Sequence, residues 1–313
     1  MPRTDLDADV LVVGGGPAGL SAATWLGRYR RSTVVVDDER PRNRWTDLTH
    51  GYLGADPIDP AELRARGREA LRRYGVRLHI GRVHGVRRDG DGGAFVADID
   101  GQPCRFRRVV LANGVADRFP DVDGFFDHYG TSVFHCPSCD GYEARDRPVA
   151  VLGWDEHIAG FAAELTEWAS SVTVVTDGRG FAAGDEHRDR LAELGVEVVD
   201  DVAARFTGRP GALTGVALGG GREVRAELAF FSIAHDRKDD LADPLGCERT
   251  EEECLVVDAD QQTTVEGVYA AGDITPGPQL VQVAAAKGTI AGVACALSLS
   301  PRPVARLASP DEG

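Results

Sequence analysis

The chain alternates between short runs of consecutive apolar residues and longer stretches with helical spacing. Residues 9–13 (DVLVV) form the first such run, bounded by turn residues, and read as a strand buried on both faces. GGGPAGL follows, then Leu20, Ala23, Trp25 and Leu26 at helical spacing. Arg28, Arg30 and Arg31 lie near the end of that helix, where cations suit the dipole. Thr33–Asp37 (TVVVD) is the next strand. Strand, glycine turn, helix and strand together open a doubly wound α/β domain.

A second helix starts at Asp59-Pro60-Ala61-Glu62, with Asp59 placed to cap, Pro60 in the first turn and Glu62 at the capping-box position. Leu63, Gly67, Ala70, Leu71 and Tyr74 share one face, and Gly75 ends it. Alternating runs over 76–110 read as strands, with turns at Asp89–Gly93 and Asp100-Gly101, and Arg108–Ala112 is buried. After Pro120–Gly124 the pattern restarts: strand Pro148–Gly153, helix Glu156–Ala169, strand Val172–Thr176, helix Asp185–Leu194, strand Val196–Val199. This second β-α-β-α-β unit is the nearest thing to an internal repeat. Strand-like Leu255–Asp258 and Gly267–Asp273, a small-residue helix near Gln282–Leu297 and a loose tail after Pro301 complete the chain.

With 313 residues, two domains are expected. A net charge of −15 repels phosphates and argues against a nucleic-acid partner. No stretch approaches the roughly 20 apolar residues of a membrane span, and the start lacks a signal-peptide layout. A cytoplasmic protein with no membrane partner is therefore expected. Only two cations are lysine, Lys238 and Lys287, a bias that fits a GC-rich genome or salt adaptation. Six cysteines do not make a disulfide scaffold, but Cys136 and Cys139 stand as C-x-x-C.

Three motifs carry chemistry. Gly14-x-Gly16-x-x-Gly19 follows a predicted strand, opens a predicted helix and precedes Asp37 at a strand end by about 20 residues. Gly14 permits the tight turn, Gly16 admits a pyrophosphate to the backbone, Gly19 lets helix and strand pack, and Asp37 accepts ribose hydroxyls. Cys136-Pro137-Ser138-Cys139-Asp140-Gly141 sets two thiols at a spacing that can close a disulfide, beside an acid that can move protons during exchange. The competing reading, half a zinc site, needs two more ligands, and Cys104, Cys247, Cys254 and Cys295 are scattered, so no metal is expected. Thr264–Asp273 (TVEGVYAAGD) ends a strand in small residues and an aspartate, which suits close approach of a polar chain or a plain helix cap.

In this order the motifs resemble the low-molecular-weight thioredoxin reductase family of flavoproteins over nearly the whole chain. The resemblance implies an α/β fold of two Rossmann-like dinucleotide-binding domains of the three-layer ββα type, the second inserted in the first. Residues 1–117 and 249–313 would form the FAD-binding domain, and 118–248 a pyridine-nucleotide-binding-like domain carrying the cysteines. It implies FAD as cofactor, on Gly14, Gly16, Pro17, Ala18, Gly19, Asp37, Asn43, His50, Gly114, Gly272, Asp273, Gln279, Leu280 and Val281. Asp273 would hold the ribityl chain, and the backbone of Gln279–Val281 would lie beside the flavin ring. Cys139 would face the flavin, Cys136 would exchange with substrate, and Asp140 would donate and accept protons. A homodimer acting on a small dithiol or disulfide, or on a thioredoxin-like protein, is implied.

The second Rossmann turn departs from the family pattern. Where G-x-G-x-x-A is wanted, the chain reads Gly153-Trp154-Asp155-Glu156-His157-Ile158. A carboxylate at the middle position repels a pyrophosphate by roughly 4 kcal/mol at about 4 Å and an effective dielectric of about 20. That is on the order of a thousandfold in affinity. The next strand ends in Thr176-Asp177-Gly178 instead of H-R-R, although Arg179 is near enough to swing in. NAD(P)H is thus a doubtful cofactor. The flanks His50–Leu63, Leu111–Cys136 and Gly141–Gly153 are similar to the gliotoxin- and holomycin-type dithiol oxidases of the same family, which use no NADPH. Asp140 points the other way, since many of those oxidases carry histidine there. His50 and His135 are candidate bases. The expectation is oxidation of a dithiol through Cys136, Cys139 and FAD to oxygen. The alternatives are a reductase fed by NAD(P)H or ferredoxin, and a flavin-binding redox sensor without turnover.

Overall fold

The computed structural model describes residues 7–90, 93–232, 235–237 and 241–300. Part of the expected turn at Asp89–Gly93, and the tail after Pro301, lie outside them. The helices are α1 (Pro17–Arg28), α2 (Pro60–Arg73), α3 (Phe125–His128), α4 (Pro137–Asp140), α5 (Ile158–Leu165), α6 (Asp185–Glu193) and α7 (Val281–Ser298). The chain divides into two compact units: Met1–Arg42, Ala61–Val115 and Arg237–Gly313 in one, Asn43–Pro60 and Ala116–Asp236 in the other. Residues 43–60, and with them Asn43 and His50, thus group with the cysteine-bearing unit.

The first unit is built on a five-stranded parallel sheet. Its spatial order is Val268–Ala270, Arg108–Leu111, Val10–Val13, Thr33–Asp37, Arg77–Ile80. Side chains alternate between its faces, so the four strands other than the edge strand Arg77–Ile80 feed two cores. Val10, Val12, Val35 and Val110 pack on residues of α1, α2 and α7, such as Leu26, Leu71 and Ala291. Leu11, Val13, Val36 and Leu111 face Val86, Phe95, Ile99 and Phe106 of a three-stranded antiparallel sheet. Being covered on both sides is why these strands read as continuous apolar runs.

The second unit repeats the plan. Its parallel sheet runs Glu197–Val199, Ser171–Val175, Pro148–Leu152, Leu228–Phe231, Val133–Phe134. Val149, Val151, Val174 and Phe230 pack on Ile158, Ala162 and Leu165 of α5 and Leu191 of α6. Leu152, Val175 and Phe231 face Phe206, Leu213, Val216 and Val224 of a second antiparallel sheet. That sheet (Ala203–Arg209, Ala212–Leu218, Glu223–Arg225) is not among the elements expected from the hydrophobic pattern. Its alternation is interrupted at Gly208, where the register shifts, so the period-2 signal breaks mid-strand.

Three expectations are corrected. The helix expected over Glu156–Ala169 is regular only over Ile158–Leu165. Thr166, Glu167 and Trp168 each donate their N–H three residues back in a tightened turn. Leu255–Asp258 forms isolated bridges, Arg249 with Leu255 and Val257 with Thr263, not a ladder strand. Finally, α7, 18 residues long, is by length and composition apolar enough to cross a membrane. Its glycines explain the composition: a Cβ on Gly288 would lie 2.0 Å from the Ala18 carbonyl oxygen, and one on Gly292 2.5 Å from that of Ala22. Small residues let α7 rest directly on the α1 backbone.

Candidate active site

In the first unit, the turn between Val10–Val13 and α1 has the geometry its glycines imply. Gly14 adopts φ +101°, and a Cβ there would lie 2.3 Å from the Ala112 carbonyl oxygen. A Cβ on Gly19 would lie 1.9 Å from the Gly14 carbonyl oxygen, so α1 cannot sit this close to the strand with any side chain. Gly16 caps α1 in extended conformation, Pro17 follows, and a Cβ on Gly16 would meet nothing within 4 Å. That open space lies at a helix N-terminus, where unpaired N–H groups and the dipole favour phosphate. Ala18 is buried behind the turn.

Asp37 ends its strand buried, accepting from the Arg68 guanidinium at 2.7 Å and from the Glu39 N–H at 3.3 Å. Gly114 and Gly272 both take positive φ, +68° and +86°. A Cβ on Gly272 would lie 3.0 Å from the Ala18 Cβ. Arg42 joins the remaining predicted residues: Nη1 is 2.9 Å from Asp273 Oδ2 and donates to Gln279 Oε1 at 2.7 Å. Leu280 is extended, and Val281 starts α7. Lys287 donates to the Thr275 and Pro276 carbonyls, tying the loop after Asp273 to α7. The glycine cradle, the helix N-terminus, the strand-end Asp37 and the Gly272-Asp273 pair fit FAD. Arg42 and Lys287 carry no signal in the sequence, because their partners lie 231 and 11–12 residues away with no local motif.

In the second unit, Cys136 and Cys139 form a disulfide with Cα atoms 5.2 Å apart. Cys136 caps α4, and its carbonyl accepts both the Cys139 and Asp140 N–H groups at 3.1 Å. The pair is held on α5 and the turn after it: Ser138 Oγ donates to Glu164 Oε1 at 2.9 Å, and a Cβ on Gly141 would lie 2.5 Å from the Trp168 ring. Burial, then the Glu143 charge, push the Asp140 carboxyl up to about 7, while His50 pulls it down. A group titrating near neutrality is suited to general acid–base work at this disulfide. His50 lies between two carboxylates, Nδ1 3.2 Å from Asp56 Oδ1 and Nε2 3.5 Å from Glu143 Oε1. His135 Nδ1 pairs with the Tyr129 hydroxyl at 3.0 Å. Tyr129 belongs to an aromatic cluster with Trp45, Phe119, Phe125 and Phe231. Phe126 also joins it and is 57% exposed, which presents an aromatic surface close in sequence to Cys136. Of the other thiols, Cys104, Cys247 and Cys295 are buried, and burial pushes Cys295 up to about 12. Such thiols are inert.

The second βα turn is occupied by its own side chains. Asp155 Oδ1 accepts the His157 N–H at 2.8 Å, and Oδ2 accepts the Ser232 hydroxyl at 2.8 Å. A Cβ on Gly153 would lie 2.3 Å from Ile158 Cδ1. The Arg179 guanidinium lies 4.2 Å from the Trp154 ring centroid, and Arg179 Nε is 3.5 Å from Asp177 Oδ2. Asp177, at φ +56°, also accepts the Ala203 N–H at 3.1 Å. Asp155 thus takes a backbone donor beside the α5 N-terminus, and Arg179 is engaged on the turn itself.

The pyridine nucleotide-disulphide oxidoreductase family matches residues 8–288. Thioredoxin reductase tcpT of Claviceps purpurea (strain 20.1) is 32% identical over 298 residues, 91% of this chain and 92% of that protein. Thioredoxin reductase sirT of Leptosphaeria maculans is 31% identical over 301 residues, covering 91% and 92%. Among solved structures, HlmI superposes with a TM-score of 0.88 at 32% identity, covering 94% of this chain and 93% of that one. The matched span takes in the glycine turn, the Cys136–Cys139 pair and Asp273, the features that the fold brings into order. The chain belongs to the pyridine nucleotide-disulphide oxidoreductase family, as a thioredoxin reductase-like FAD enzyme.

Proposed function

We propose that the protein oxidises a dithiol through Cys136, Cys139 and FAD to oxygen, without NAD(P)H. The observation that carries this reading is the second βα turn, where Asp155 takes the His157 N–H and Arg179 is stacked on Trp154. A pyrophosphate arriving there meets a carboxylate in place of a free N–H, and a 2′-phosphate meets an arginine already paired with Asp177.

A substrate thiolate attacks Cys136 Sγ, the Cys136–Cys139 bond breaks, and the electron pair leaves on Cys139 Sγ. Asp140 accepts the proton given up by the substrate thiol. The second substrate thiolate then attacks the mixed disulfide, releasing the substrate as a disulfide and leaving the protein with two reduced sulfurs. FAD, when bound, supplies the two-electron acceptor that restores the Cys136–Cys139 bond, with oxygen as the final acceptor. The aromatic surface around Trp45, Phe119 and Phe126 favours a small apolar dithiol. One feature favours the opposite direction, a thioredoxin reductase: Asp140, the residue typical of those enzymes.

The test is oxygen uptake by the FAD-loaded protein with dithiothreitol alone. Hydrogen peroxide formed one-for-one with oxidised dithiothreitol, unchanged by NADPH, supports the oxidase. Turnover of a thioredoxin disulfide with NADPH, and none with dithiothreitol and oxygen, overturns it.

A further inference from the structure

Thiol–disulfide exchange leaves a proton to dispose of. When a substrate thiol attacks the Cys136–Cys139 bond, its S–H bond breaks, a new S–S bond forms, and Cys139 leaves as thiolate. The proton must then travel from the partly buried Asp140 to water.

The second unit holds a chain of groups suited to that task. Asp56 is 51% exposed and lies 3.2 Å from His50 Nδ1. His50 Nε2 lies 3.5 Å from Glu143 Oε1. Glu143 follows Asp140 by three residues, in the short helical turn Gly141–Ala144. Its charge and that of His50 both act on Asp140. A neutral imidazole has one N–H, yet both ring nitrogens here face carboxylate oxygens. The ring therefore stands where it can take a proton on one nitrogen and release one from the other. Glu143 Oε2 is also buried with no hydrogen-bond partner among the described residues. A buried acceptor left so is uncommon.

We propose that Glu143, His50 and Asp56 form the proton exit of the disulfide centre, carrying protons between Asp140 and the surface during thiol–disulfide exchange. This rests on the dithiol-exchange chemistry assigned above but not on its direction, since a reductase runs the same path inward. The groups facing His50 are Asp56, from its own loop, and Glu143, with Asp140 acting on it through charge. His50 is thereby a positioning and relay residue, and the sulfurs and Asp140 remain the reacting groups.

The test uses the FAD-loaded protein without oxygen, with dithiothreitol as the dithiol. Opening of the Cys136–Cys139 disulfide is followed by rapid quench and thiol labelling from pH 6 to 9, and flavin bleaching is recorded in parallel. In His50→Gln the opening rate should fall about 10²-fold, the low end for a lost acid–base group. The drop should be steepest on the acid side, and added imidazole should restore part of it. Asp56→Asn, which leaves the ring in place, should lower the rate less and shift the same pH profile. Should His50→Gln lose its FAD, Asp56→Asn carries the test alone. Variants within twofold of the parent at every pH, or a uniform drop that imidazole does not relieve, overturn the relay. Labelling that obeys these expectations while the flavin of the parent stays oxidised supports the relay and removes only the oxidase direction.

Discussion

Replacing Asp140 by asparagine should make the protein more stable and less active, by amounts that depend on pH. Burial and Glu143 raise the Asp140 carboxyl from the ordinary 3.8 to about 7. Its neutral form is therefore favoured in the folded state. Below pH 4 both states carry the protonated acid, and the site costs nothing. Between pH 4 and 7 the unfolded chain ionises first, and folding loses about 1.4 kcal/mol per pH unit. Above pH 7 the loss levels off at about 4 kcal/mol. The asparagine amide cannot ionise, so Asp140→Asn should exceed the wild type by only about 1 kcal/mol near pH 4.5 and by the full amount at pH 8.5. At an unfolding entropy of about 2.1 cal/mol/K per residue, a loss of that size corresponds to a difference in Tm of about 6 °C. The assay is thermal unfolding of both FAD-loaded proteins across that range, beside dithiol turnover, which should drop at least about 10²-fold. Tm curves that stay parallel from pH 4.5 to 8.5 would refute the assignment of Asp140 as a largely buried carboxyl that titrates near neutrality.

Three further outcomes are expected. Asp155→Gly removes the carboxylate and frees the His157 N–H, so NADPH affinity should rise, by up to about a thousandfold on charge alone; fluorescence titration reads this, and no gain would place the obstruction elsewhere. Gly288→Ala sets a Cβ 2.0 Å from the Ala18 carbonyl oxygen, and should cost about 1–3 kcal/mol in denaturant unfolding as α7 is pushed off α1. Arg42→Met leaves Asp273 and Gln279 without their shared donor, and should weaken FAD retention about tenfold, the equivalent of one charge-assisted hydrogen bond, in a flavin-fluorescence assay.

What can be read from the sequence divides along local and non-local lines. The glycine turn is legible because its constraint is local: Gly14 needs positive φ, and Gly19 must admit the Gly14 carbonyl. The buried strands are legible because coverage on both faces confines polar residues to their ends. The C-x-x-C pair is legible because its spacing allows a disulfide, and the cysteines are so joined. Arg42, Glu143 and the aromatic cluster around Trp45 are not, since each acts through partners brought near only by the fold. The antiparallel sheet at 203–225 is lost to the irregularity at Gly208. Asp155 is legible as a misfit to the nicotinamide pattern, but its position is not: it accepts from His157 on its own loop and from Ser232 beyond the strand Leu228–Phe231. That placement removes a donor from a phosphate as well as adding a charge.

On the proposed reading, electrons enter through the disulfide centre and not from a nicotinamide. The direct measurement is the absorbance of oxidised flavin after anaerobic mixing of the FAD-loaded protein with NADPH, NADH and dithiothreitol in separate syringes. Rapid bleaching by dithiothreitol is expected, abolished in Cys136→Ser and Cys139→Ser, with none by either nucleotide within seconds. Bleaching by NADPH or NADH within seconds, with none by dithiothreitol, would contradict this direction of electron flow.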